Sequence, residues 1–182
     1  FGAAVYCLLR TVPPSRRLTE LQLRRPYGLS ARGAAMTFVT LLVALPVAVG
    51  ITQLTVEVFH YLNIPIPPQP LEHILRYRSN TRNIIVSALL IAPFTEEILF
   101  RMVLYESVKQ AHLPVPSLIT AVIFAGSHGI ATQFPALVIL GVLLQWLRRR
   151  TETLWSPVLL HALFNAGALG LFFIIGHESP QT

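Results

Sequence analysis

A short charged segment lies inside an otherwise apolar stretch of the chain, at Ala92-Pro-Phe-Thr-Glu-Glu-Ile-Leu-Phe-Arg101. It holds two adjacent carboxylates, Glu96 and Glu97, and a carboxylate is a group that can act as a general base on water. A charge at the centre of a bilayer costs roughly 2.5–3.5 kcal/mol on insertion scales, so we expect these charges to face protein or water rather than lipid. Glu97 and Arg101 are four residues apart and can pair on one helix face, which leaves Glu96 free for chemistry.

Two further apolar segments each carry a histidine. His128 ends the segment Phe124-Ala-Gly-Ser-His128, and His161 begins the segment His161-Ala-Leu-Phe-Asn165, whose spacing places an imidazole beside an amide on one helix face. Taken singly, each motif is equally typical of polar residues that only pack helices together. At a rise of about 1.5 Å per residue, however, Glu96, His128, His161 and Asn165 all fall near the middle of the membrane. We therefore predict that they form one site.

The composition indicates the kind of scaffold that positions these residues. The chain has 182 residues, of which 53% are hydrophobic and only 12% are charged, with a mean hydropathy of +0.60. Ordinary soluble domains carry about 25% charged residues. We therefore predict an all-α fold, a polytopic transmembrane helix bundle with about five spans and with its site inside the membrane.

Apolar stretches bounded by charges or prolines give the predicted spans, and the second span is interrupted by Glu96, Glu97 and Arg101. Residues 1–32 are interpreted as the end of an upstream apolar segment followed by a basic cytoplasmic loop, and residues 33–182 as one membrane-embedded domain. A short interfacial helix is expected at Leu71–Arg78, between the first two spans. The predicted spans are Gly33–Val56, Asn83–Lys109, Ser117–His128, Phe134–Leu147 and Leu154–Gly176.

The charged residues and the single cysteine exclude several classes of protein. There are 14 Lys and Arg against eight acidic residues, and in so apolar a chain this excess indicates topology and contact with membrane lipids rather than nucleic acid. All eight acidic residues are glutamates, so a mechanism built on two aspartates is excluded. Cys7 is the single cysteine, which excludes an internal disulfide and a metal site with several cysteines.

The three motifs together resemble the CAAX-protease and bacteriocin-processing family of intramembrane endopeptidases, also called Abi. The chain reads Glu96-Glu97-x-x-x-Arg101, then Phe124-x-x-x-His128, then His161-x-x-x-Asn165, in the order and spacing of that family. The resemblance implies that the chain is a hydrolase of peptide bonds and that residues 33–182 form a protease-like domain. It also implies the roles of the residues. Glu96 would be the general base that activates water with the help of His128, His161 and Asn165 would stabilise the oxyanion, and Glu97 and Arg101 would orient the site.

The cofactor and the substrate follow less directly from the sequence. Glu96, His128 and His161 provide one carboxylate and two imidazoles, which is a known set of catalytic zinc ligands. The same three residues can hold a water molecule without a metal, and we favour this second interpretation. The resemblance implies a peptide or lipidated-protein substrate and a location in a bacterial inner membrane.

Two other functions use the same residues. A transporter or proton relay also buries ionisable groups, but it needs polar residues at several depths, whereas these lie at one level. A non-catalytic membrane scaffold or bacteriocin-immunity protein that binds a partner remains the main alternative. It predicts that Glu96→Gln leaves the activity in cells intact.

Overall fold

The structure is a computed structural model that describes residues 29–66 and 81–176, and in these residues it is a bundle of five helices without a strand. The predicted all-α membrane bundle is confirmed. Residues 1–28 and the interfacial helix expected at Leu71–Arg78 lie outside the described residues. The helices are α1 (Ala31–Tyr61), α2 (residues 81–110), α3 (Pro116–Ser127), α4 (Phe134–Thr151) and α5 (Trp155–Gly176).

Three of the helical segments are long and apolar enough to cross a membrane: Ala31–Tyr61, Arg82–Gln110 and Ala131–Thr151. The segments Pro116–Ser127 and Trp155–Leu171 are shorter and also apolar. Helix α1 turns large apolar side chains outward, as a lipid-facing helix does, and Leu42 is 74% exposed. The chain is therefore an integral membrane protein.

Local sequence explains where several helices begin. Ser30 caps α1, because its Oγ accepts a hydrogen bond from the backbone N–H of Gly33 at 3.0 Å. Pro116 is the first residue of α3, a position where the missing N–H costs no helical hydrogen bond. Between α3 and α4 the backbone turns at Gly129, whose φ of 68° is a conformation that glycine adopts without strain.

Helix α4 is the centre of the bundle. It packs against α1, α3 and α5, while α2 packs against α3 and α5 at the side of the bundle. The contact between α3 and α4 is close at Gly141, where an added Cβ atom would lie 2.9 Å from both Cα and Cβ of Ala121. The core formed around this contact contains Phe100, Phe124, Leu140, Leu144, Leu147 and Leu160, all buried.

We expect Gly141→Ala to destabilise the fold, because its methyl group must push the α3 backbone away. Overpacked core positions lose about 1–3 kcal/mol, which exceeds the gain of about 1 kcal/mol in helix propensity from glycine to alanine. The measurement is the free energy of unfolding in detergent micelles. Gly50→Ala in α1 is the matched control, since an added Cβ meets nothing within 4 Å there. Equal stability of the two variants would contradict the close packing.

Candidate active site

Helix α2, which carries both central glutamates, contains two π-helical segments. It is α-helical over Thr81–Val86, Ala92–Glu97 and Tyr105–Gln110, and it is π-helical, with hydrogen bonds from residue i+5 to residue i, over Ser87–Ile91 and Ile98–Leu104. Single π-helical turns often lie at functional sites, because they shift side chains out of the regular helical register. Glu96 and Glu97 lie at the end of the α-helical segment between the two π-helical ones.

Glu97 and Arg101 form the buried ion pair that their spacing predicts. Both side chains have no solvent exposure, and Arg101 Nε donates to Glu97 Oε2 at 2.9 Å. The guanidinium group also lies over the ring of Phe124, with Cζ 5.0 Å from the ring centroid. The two opposite charges compensate each other inside the bundle, where an unpaired charge would be costly.

The other oxygen of Glu97 links α2 to α5. His161 Nδ1 lies 3.1 Å from Glu97 Oε1, and because a carboxylate is an acceptor, the N–H is on His161 and donates to it. This hydrogen bond holds the imidazole in one orientation. The Nε2 atom on the other side of the ring then lies 3.9 Å from Oε2 of Glu96.

His128 is oriented in a similar way by the backbone of α3. Its Nδ1 donates to the carbonyl oxygen of Phe124 at 2.8 Å, and its Nε2 lies 3.8 Å from Oε2 of Glu96. The Nδ1 proton of each imidazole is therefore used in a hydrogen bond, and each Nε2 atom lies within 4 Å of the same carboxylate oxygen, Oε2 of Glu96.

Glu96 differs from Glu97 in its surroundings. Its side chain is 20% exposed, and in the described residues its Oε2 atom has no hydrogen-bond partner although it is buried. The distances of 3.8 and 3.9 Å to the two imidazoles are longer than a direct hydrogen bond. Polar atoms at such distances are commonly bridged by water, so the three residues suit the binding of one water molecule.

The same three residues also fit a divalent metal. One ligand atom from each of Glu96, His128 and His161 can be chosen so that all lie within 4.8 Å of one another. Carboxylate and imidazole are the ligands of catalytic zinc sites, and the hydrogen bonds from Nδ1 of each histidine are the kind that orient metal ligands. The donor set is thus compatible with zinc and with a water molecule alone.

Asn165 contacts α2 at a different point from the three residues of this cluster. It lies one helical turn beyond His161 on α5, and its Nδ2 donates to the backbone carbonyl oxygen of Ala88 on α2 at 3.0 Å. One N–H of the amide is used in this contact, and the second N–H remains. The oxyanion role that the resemblance implies for Asn165 stays a prediction.

Phe124 is a residue whose role the sequence analysis missed. Its ring is fully buried and packs edge-to-face against both imidazoles, with centroid distances of 4.8 Å to His128 and 5.6 Å to His161. Its carbonyl oxygen also accepts the hydrogen bond from His128. The motif Phe124-x-x-x-His128 contained this signal, because residues four apart share a helix face.

Comparison with known proteins identifies the family. The fold and the cluster define an integral membrane protein in which one carboxylate and two imidazoles lie close together inside a helix bundle. Residues 78–167 match the sequence profile of the Rce1-like family, described as type II CAAX prenyl endopeptidase Rce1-like. The chain therefore belongs to this family of intramembrane proteases, a branch of the CAAX-protease group. No curated protein and no solved structure shows a significant match to the chain. The matched residues include Glu96, Glu97, Arg101, His128, His161 and Asn165.

Proposed function

We propose that this protein is a CAAX-type endopeptidase in which Glu96 activates the attacking water. The observation that carries the proposal is the convergence of three helices on one atom, Glu96 Oε2, with His128 Nε2 at 3.8 Å and His161 Nε2 at 3.9 Å. A base has to lie within hydrogen-bond reach of the proton it removes, and a water between these atoms meets that condition.

The reaction proceeds in two proton transfers. Glu96 takes a proton from the water as the water oxygen attacks the carbonyl carbon of the scissile peptide bond, and His128 Nε2 accepts the second hydrogen bond from that water. Glu96 then gives its proton to the nitrogen of the leaving amine as the C–N bond breaks. The products are a carboxylic acid and an amine, and Glu96 returns to its ionised form.

In this proposal His161 stabilises the oxyanion that forms on the scissile carbonyl. A neutral imidazole whose Nδ1 proton is held by Glu97 can only accept a hydrogen bond at Nε2. When His161 is doubly protonated, its Nε2–H can donate to the developing oxyanion, and the negative charge of Glu97 compensates the imidazolium. A donor at this position contributes about 3–4 kcal/mol to transition-state stabilisation in other acyl-transfer enzymes.

The substrate proposed is a peptide or protein with a lipidated C-terminal segment, as the family description implies, cleaved in the membrane. Within this proposal the membrane is a bacterial inner membrane. The test is a panel of fluorogenic peptides, prenylated and unmodified, incubated with the purified protein in lipid vesicles. We expect cleavage of prenylated peptides. No cleavage of any peptide would favour a scaffold or immunity protein that binds a partner.

We expect cleavage to continue in the presence of a metal chelator, because the proposed mechanism needs only a water molecule. If zinc is bound, Glu96, His128 and His161 would hold it, and the ion would supply Lewis-acid activation of water. The measurement is the cleavage rate before and after dialysis against 1,10-phenanthroline. A loss of activity that added Zn²⁺ restores would contradict the metal-free mechanism.

A further inference from the structure

A backbone carbonyl of α2 has lost its helical donor two turns before the catalytic carboxylate. In the π-helical segment Ser87–Ile91, the N–H of Ala92 donates to the carbonyl of Ser87, five residues earlier. By the same pattern, the carbonyl of Ala88 would accept from residue 93. That residue is Pro93, which has no N–H.

The amide of Asn165 takes the place of the missing donor. Its Nδ2 lies 3.0 Å from the carbonyl oxygen of Ala88, across the interface between α5 and α2. A carbonyl group without a partner is costly inside a membrane protein, because no bulk water is present to hydrogen-bond it. The hydrogen bond from Asn165 thus satisfies an acceptor that the proline leaves open.

In the part of the chain that the structure describes, this is one of two side-chain hydrogen bonds that join α5 to the same part of α2. The other is the contact from His161 Nδ1 to Glu97 Oε1 at 3.1 Å, one helical turn earlier on α5. Ala88 and Glu97 are the two anchor points on α2, and both Pro93 and Glu96 lie between them. Fixing the two ends of this segment fixes the direction in which the carboxylate of Glu96 points.

We infer that Asn165 is a positioning residue that acts through the Ala88 carbonyl to hold the Pro93 turn of α2, and with it Glu96. The inference rests on the proposed function, because positioning matters only if Glu96 is the base. It also gives Asn165 a role that differs from donation to the oxyanion. The two roles make opposite predictions for a variant in which residue 93 regains its N–H.

The test is a double-substitution cycle between Asn165 and Pro93, with the cleavage of a fluorogenic farnesylated peptide as the readout. We expect Asn165→Leu, which has a similar shape and no donor, to lower kcat about tenfold with KM unchanged, equivalent to about 1.4 kcal/mol. Pro93→Ala should keep most of the activity. The double variant should regain most of the kcat that Asn165→Leu loses, since the backbone N–H restored at position 93 can reach the Ala88 carbonyl.

A matched control separates positioning from general stability. Thr37 is buried, and its Oγ1 donates to Gly33 O at 2.8 Å and lies 3.5 Å from Ser156 O of α5. Thr37→Val removes a buried hydrogen bond from a side chain to a backbone carbonyl, near the other end of α5. We expect it to lower the melting temperature and to leave kcat unchanged.

A double variant as inactive as Asn165→Leu would overturn the inference and would favour the oxyanion role. The same cycle is measured in melting temperature, which needs no substrate. There Asn165→Leu should destabilise the protein in the Pro93 background and should have little effect in the Pro93→Ala background. Equal destabilisation in both backgrounds would also overturn the inference. Failure of the proposed function is distinguished separately. The wild type would then cleave no peptide, or Glu96→Gln would cleave as fast as the wild type, and the melting-temperature cycle can be measured in either case.

Discussion

Glu96→Gln is expected to lower kcat for peptide cleavage by about 10³-fold, because general-base catalysis contributes roughly 10²–10⁴-fold. Glutamine keeps the size and the exposure of the side chain but cannot accept the proton of the attacking water. The loss should appear in kcat rather than in KM, since the substrate does not need the carboxylate to bind. The measurement is the initial rate at saturating peptide in lipid vesicles.

Glu106→Gln is the matched control for this variant. Glu106 lies on the same helix and pairs with Lys109 at 3.6 Å, at the partly exposed end of α2 and away from the cluster. We expect this control to cleave at the wild-type rate. Equal rates for the wild type and Glu96→Gln would show that Glu96 is not the base, and would support the scaffold or immunity function if a partner-dependent phenotype also survives.

Arg101→Met should produce the largest loss of stability among single substitutions in the site. The change leaves the carboxylate of Glu97 buried without its cation, and breaking a buried ion pair in this way costs about 3–5 kcal/mol. It also removes the guanidinium group from the face of Phe124. The measurement is the free energy of unfolding from a denaturant titration in detergent micelles.

Two further variants show whether the unpaired charge causes the loss. Lys109→Met breaks an exposed pair, for which we expect less than about 1 kcal/mol. The double variant Glu97→Gln/Arg101→Met removes both buried charges and should recover part of the stability. If the double variant is less stable than Arg101→Met alone, the charge of Glu97 is not the cause of the loss.

Most of the fold could be predicted from the lengths of the uncharged stretches. The stretch Gly33–Val56 predicted the first span, and the helix extends over Ala31–Tyr61, so it includes Glu57 and His60 beyond the apolar run. Polar residues at the end of a span can reach the membrane interface, and hydropathy therefore sets the centre of a helix better than its ends. The change to π-helical hydrogen bonding within α2 was not predicted, because no periodicity in the sequence encodes it.

The candidate site could be predicted as a set of residues but not as a network. Depth arguments placed Glu96, His128 and His161 at one level, and the structure brings them to one carboxylate oxygen. The hydrogen bond from His161 to Glu97 was missed, because spacing along the chain gives the faces of helices and not which faces meet. The contact of Asn165 with Ala88 was missed for the same reason, although Pro93 was visible as a residue without an N–H.

The measurement that tests the central claim most directly is the mass of the products formed from a farnesylated peptide by the purified protein in H₂¹⁸O. The account predicts a single internal cut, with ¹⁸O in the new carboxyl group, and almost no product from Glu96→Gln in the same time. An intact peptide with the wild type, or equal product with Glu96→Gln, would contradict the claim that Glu96 activates water to hydrolyse a peptide bond in the membrane.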